Sequence, residues 1–121
     1  MSGRNGRRRL PEGSLIVDFV CDDDSVGVIC YGEFDLTTAS ILDDAISDGA
    51  GRAAGRTLVL DLSGLHFCSV AILQRLRRAA LLARASATTL EVVEGRVLAR
   101  LLTVIDPDRR CYEIGERDGR S

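Results

Sequence analysis

Residues Val59–Leu73 read VLDLSGLHFCSVAIL, and the fold turns on them. Their first part belongs to Thr57–Leu62 (TLVLDL), a short apolar run with the length and branching of a central strand covered on both faces. Ser63–Ser69 then breaks the apolar run, and Val70–Ala85 resumes it at helical spacing. Leu73, Leu76, Ala80 and Ala83 make one stripe, with Arg75, Arg77, Arg78 and Arg84 on more exposed faces. A strand feeding a helix through a short loop is half of a β-α-β unit, which places a parallel strand next to it.

Working outward, Thr89–Val93 (TLEVV) supplies that next strand. Val97, Leu98, Leu101, Leu102 and Ile105 form an amphipathic helix that Pro107 stops, and Cys111–Ile114 is expected to add a last short strand. Upstream, Leu15–Cys21 and Val26–Gly32 read as strands around Asp22–Ser25, whose aspartates favour a tight turn, so the two form a hairpin. A calcium role for that acidic triplet lacks the D-x-D-x-D-G loop. Thr37 or Thr38 caps a helix running to about Asp48, with Gly49 at its end and Gly49–Gly55 as a flexible connection. The order β-β-α-β-α-β-α-β argues an α/β domain: a mixed sheet of four to five strands with helices packed on one face.

The chain has 121 residues, 45% of them hydrophobic and 28% charged, which suits one globular domain and excludes a disordered or multi-domain protein. Residues 1–13 are read as a disordered basic leader, 14–115 as the domain and 116–121 as a tail. Within the leader, Met1–Arg9 carries Arg4, Arg7, Arg8 and Arg9 and no acid, a charge of +4 in a chain whose net charge is −2, which leaves −6 for the rest. An acidic body argues against direct nucleic-acid binding, which needs a basic face; only the leader offers one.

Cys21, Cys30, Cys68 and Cys111 include no C-x-x-C pair and sit in or beside apolar runs. With no signal sequence they read as reduced thiols in a cytoplasmic protein rather than as disulfides or zinc ligands, and no metal or cofactor is expected. No apolar run reaches the roughly 20 residues of a membrane span. His66, the one histidine, is expected in the loop leading into the second long helix, where alone it is structural or solvated. A triad drawn from Ser69, His66 and Asp35 lacks the G-x-S-x-G elbow, so no catalytic residues are expected. A weak enzyme or ligand-binding protein using His66 and Ser69 is the rival reading.

Together with Gly32–Leu36 (GEFDL), the stretch VLDLSGLHFCSVAIL resembles the STAS domain of anti-sigma factor antagonists. In that family a G-E-[LF]-D segment ends the second strand, and a V-x-D-[LF]-S-G-x-x-F-x-D-S-S-G-[LI] segment runs from the third strand into the second helix. The likeness covers about Leu15–Ile114. It implies binding to an anti-sigma factor or a serine kinase of the histidine-kinase-like ATPase type. It also implies release when that kinase phosphorylates a serine at the start of the second helix.

Aligned on Phe67, this chain puts Ser69 at the family's Asp, Val70 at the phosphorylated serine, Ala71 at the second serine and Ile72 at the glycine; Leu73 matches. Val70 has no hydroxyl to accept a phosphoryl group. Ser69 is one residue early, and in-line transfer tolerates little displacement, so a helix cap is its favoured role. Asp35 matches an acidic position near the family's phosphorylation site and reads equally as a cap. The resemblance therefore implies a partner-binding surface of Asp35, Leu36, Thr37, Thr38, Ser69, Val70, Ala71, Ile72 and Leu73 without the usual switch. The alternative is a STAS scaffold or accessory subunit of another complex, such as a transporter. An apolar patch at Val70–Ile72 would serve a homodimer as readily as a different partner.

Overall fold

A computed structural model describes residues 13–113 of the chain. Its four strands are β1 (Leu15–Cys21), β2 (Ser25–Phe34), β3 (Thr57–Cys68) and β4 (Thr89–Val93), in the order β1-β2-β3-β4. β1 pairs antiparallel with β2, whereas β2–β3 and β3–β4 are parallel. The helices are α1 (Ala39–Arg52), α2 (Ile72–Ala85) and α3 (Gly95–Ile105). The expected mixed α/β architecture is present, with four strands.

Local chemistry explains most of the joints. In the hairpin, Asp22 Oδ1 accepts the N–H groups of Asp24 and Ser25, each at 2.8 Å, which closes the acidic turn. Alternate residues of the sheet then sort onto two faces. Val26, Val28, Cys30 and Phe34 of β2 and Leu58, Leu60, Leu65 and Cys68 of β3 are buried under the helices with Leu42, Ile46, Leu76, Leu98 and Leu102. α1 and α2 are clasped to each other: Arg75 Nε and Nη2 donate to Asp43 Oδ1 and Oδ2, each at 3.1 Å, and Arg78 donates to the Asp43 carbonyl and to Ser47 Oγ. α3 packs along β3 beyond Asp61, where β4 no longer pairs.

Four expectations are corrected. First, α1 does not stop at Asp48 but continues through Gly49 to Arg52. Gly49 is not a terminator; it is the point of closest approach to the sheet, where a Cβ would meet Val28 Cγ2 at 2.6 Å. Second, β3 runs on to Cys68, so His66 is an exposed strand residue rather than part of a loop. β2 keeps offering partners as far as Phe34↔Cys68, and bulges absorb the residues by which β3 is longer.

Third, α2 starts at Ile72, and Val70 and Ala71 form the turn before it. Fourth, no fifth strand forms among the described residues: 110–113 are helical. The Asp106 carboxylate, which accepts the N–H groups of Arg110 and Cys111 at 3.0 Å each, starts that turn as a cap. Ile114, the leader before Gly13 and the expected tail lie outside the described residues.

The helical turn is held down by one acid. Glu94 accepts Arg109 Nε at 2.6 Å, Arg109 Nη2 at 2.8 Å and the Tyr112 hydroxyl at 2.6 Å. The Arg109 guanidinium, assisted by Tyr112, holds the Glu94 carboxyl below its ordinary value of 4.5. A depressed acid stabilises the fold above its unfolded value and loses that contribution as pH falls through the native one. Glu94→Gln should therefore cost about 1–2 kcal/mol at neutral pH. In urea denaturation, the gap from the parent chain should narrow as pH drops below 4.5. An equal gap at pH 7 and pH 3 would show that the charge is not what counts.

Candidate functional site

The GEFDL and SVAIL segments, separated by more than thirty residues in sequence, meet at the carboxyl ends of the adjacent parallel strands β2 and β3. Phe34 is the partner of Cys68, and the Ser69 N–H donates to the Phe34 carbonyl at 3.0 Å, tying the two following loops together. Crevices outside the carboxyl ends of parallel strands are where α/β domains commonly bind.

The first loop is built around Asp35. Its Oδ1 accepts the Thr37 N–H at 2.8 Å, the Thr37 hydroxyl at 2.6 Å and the Thr38 N–H at 3.2 Å. The Thr37 hydroxyl, with these backbone donors, keeps the Asp35 carboxyl below its ordinary value against the opposing effect of desolvation. Thr38 faces the other way: its Oγ1 accepts the Asp35 N–H at 3.1 Å and lies 3.0 Å from the Glu33 carbonyl. Asp35, not a threonine hydroxyl, thus supports the start of α1, and Thr38 is buried. This turn leaves Leu36 at its tip, 75% exposed.

In the second loop, Ser69 Oγ accepts the Ala71 N–H at 3.3 Å, and the Ile72 and Leu73 N–H groups donate to the carbonyls of Ser69 and Val70. The serine is half-buried and acts as a cap on the turn into α2. Val70 stands 60% exposed, at the position where the resemblance places a phosphorylated serine.

The expected apolar patch Val70–Ile72 is thereby narrowed. Ile72 is fully buried in the core, Ala71 and Leu73 are half-buried, and of Val70–Ile72 only Val70 is exposed. The reason is rotational: once α2 begins at Ile72, its first residue lies on the same inward face as Leu76 and Ala79. Asp35, Leu36, Thr37, Ser69 and Val70 are brought together, with Thr38 and Ile72 beneath them.

His66 lies on β3, while Asp35 and Ser69 are each engaged within their own loops. Among the described residues, no three His, Cys, Asp or Glu side chains are grouped to hold a metal ion, and no helix is long and apolar enough to cross a membrane. Cys30 and Cys68 are buried, which pushes both thiols up to about 12, and Cys21 is exposed; the four cysteines are unpaired. Sequence reasoning used Phe67 only to anchor the motif alignment and did not foresee it as a surface residue. It is half-exposed on the face opposite Cys68, and the bulge that sets its direction is invisible in an apolar pattern.

A family model described as "Mlab, STAS domain" matches residues 18–114. Among curated proteins none matches the chain. The fold is similar to that of an anti-sigma factor antagonist from Mycobacterium paratuberculosis, at 24% identity and a TM-score of 0.67, covering 79% of this chain and 81% of that one. A Thermotoga maritima structure gives 17% identity and a TM-score of 0.64, with 77% and 80% covered. An antisigma-factor antagonist STAS domain from Rhodobacter sphaeroides gives 18% and 0.54, with 67% and 87% covered. At such identities the structural likeness is one of fold. With the family model spanning both loop segments and all four strands but the first three residues of β1, the chain belongs to the STAS domain family.

Proposed function

We propose that this chain is a non-enzymatic regulatory domain that binds an anti-sigma factor, or a serine kinase of the histidine-kinase-like ATPase type, through the paired loops Asp35–Thr38 and Ser69–Leu73. The observation that carries the reading is the exposed pair Leu36 and Val70, set at the tips of two loops joined by a backbone hydrogen bond. The STAS fold and its likeness to anti-sigma factor antagonists support the class of partner. Thr38 and Ile72 position this surface from below and do not form it.

The proposed binding is constitutive. Val70 has no acceptor oxygen, and the neighbouring Ser69, one residue early, accepts the Ala71 N–H as a cap on the turn. A phosphoryl group would add about −1.5 to −2 charges in the middle of an apolar contact, and valine removes that route to release.

The test is incubation with candidate anti-sigma kinases and ATP, followed by gel filtration and intact mass. Co-elution without added mass is the expected result. A single added phosphoryl group would overturn the loss of the switch and point to Ser69 or a threonine. Absence of a complex with every candidate would favour the scaffold or accessory-subunit reading.

A further inference from the structure

The face of the sheet turned away from α1 and α2 is uncovered, and its composition is unusual. Register places Ile16, Asp18 and Val20 of β1, Ile29, Tyr31 and Glu33 of β2, Val59, Asp61 and Phe67 of β3, and Glu91 and Val93 of β4 on it. Ile16, Val20, Tyr31, Phe67 and Val93 are between 40% and 55% exposed. Tyr31 lies over Gly64, where a Cβ would meet its Cδ1 at 2.8 Å. The four acids of the strands, Asp18, Glu33, Asp61 and Glu91, all fall on this face, and no strand contains a lysine or arginine. The face is at once apolar, aromatic and anionic.

We infer that this open face is the docking surface of the chain's own leader, residues 1–12, held there through Arg4, Arg7, Arg8 and Arg9. Charge complementarity chooses the occupant. Residues 1–12 carry four arginines and one acid, Glu12, a net charge of +3, against four carboxylates and no strand base. A second copy of the chain would bring the same sign against itself, and like charges in contact are costly.

The residue type fits as well as the charge. Guanidinium pairs with carboxylates through two hydrogen bonds, stacks on aromatic faces such as those of Tyr31 and Phe67, and covers apolar surface with its aliphatic stem. Reach is sufficient. The chain joins β1 through Ser14, whose carbonyl accepts the Glu33 N–H at 2.8 Å, so the leader departs from a corner of the face itself. Twelve extended residues span about 40 Å, whereas four strands are about 14 Å across. Gly13, at a φ of +80°, bends the chain at that junction.

Each exposed ion pair contributes little, at most about 1 kcal/mol. Tethering compensates, because a linked segment meets its surface at an effective concentration near the millimolar range. The leader needs no single fixed conformation for this, since several arginine–carboxylate pairings satisfy the face equally. The inference is independent of the loop surface proposed above.

The experiment compares NMR spectra of the isotope-labelled full chain with those of a full-length R4Q/R7Q/R8Q/R9Q variant, at low salt and at about 0.5 M NaCl, where the Debye length is only a few ångströms. Signals of Ile16, Asp18, Ile29, Tyr31 and Val93 should differ between the two chains at low salt, while those of Leu42 and Leu76 coincide. Salt should erase the difference, and tenfold dilution should not change it. Introducing D18N and E91Q should shrink it at least twofold. Identical open-face signals in both chains would overturn the inference. So would a difference that disappears on dilution, which places the leader on another molecule, or one confined to the helical face.

Discussion

Val70→Asp is expected to weaken the proposed complex with an anti-sigma factor about a hundredfold, or about 2.7 kcal/mol, while leaving the melting temperature within about 2 °C of the parent. The two halves have separate causes. Val70 is 60% exposed and outside α2, so its removal empties no core space. A carboxylate there sits just before the N-terminal turn of α2, where the helix dipole favours it. In a complex, the same carboxylate would be buried against an apolar partner surface with no donor waiting, and an unpaired buried charge is costly. Val70→Ala, which only trims contact, should cost less than tenfold. Equal affinity of Val70→Asp and the parent in calorimetric titration would place the binding surface elsewhere.

Gly95→Ala should act in the opposite way, damaging the fold and not the surface. Gly95 has a φ of +74°, and a Cβ there would lie 2.4 Å from the Ser63 Cα and 2.8 Å from its Cβ. Left-handed backbone costs a non-glycine residue about 1–2 kcal/mol, and forcing α3 off β3 adds about 1–3 kcal/mol of overpacking strain. A loss of about 3 kcal/mol is a large part of a small domain's stability, and lowers the melting temperature by about 15 °C. Thermal unfolding followed by circular dichroism measures it. A fall of only 2–3 °C would mean that α3 slides along β3 at little cost.

Those glycines mark where the sequence was legible and where it was not. The element order and the mixed sheet were legible because they depend on local periodicity, whereas the pairing of the two loops came from the resemblance of GEFDL and the strand-to-helix segment to the STAS motifs. Gly49 read as a stop because glycine ends helices more often than it continues them; here its missing Cβ lets α1 settle onto Val28 and Leu58. The overrun of β3 was hidden because bulges near Ser63 and His66 break the two-residue alternation, and a strand with changing parity resembles a loop. Cys111–Ile114 has the branched and aromatic residues of a strand, but the Asp106 carboxylate fixes the N–H groups that would begin one.

At the site, the substitution at Val70 was plain from the alignment, and so was the dual character of Asp35. The burial of Ile72 was not, since a shift of two residues in where α2 begins rotates it from outside to inside. The open sheet face was hidden for a simpler reason. Asp18, Glu33, Asp61 and Glu91 lie far apart in sequence and become one surface only when the strands take their register.

Asp18 and Glu91 have a consequence for how molecules of this protein behave in a crowd. They are the middle residues of β1 and β4, the two marginal strands of the sheet, each of which has one side without a partner strand among the described residues. A free margin is a template on which another chain can add a strand and begin a fibre. Here the growing seam would have to bring a carboxylate into the centre of every new pairing, and β4 offers only five residues on which to build. A sheet that lacks the closure of a barrel thus keeps its two ends from propagating.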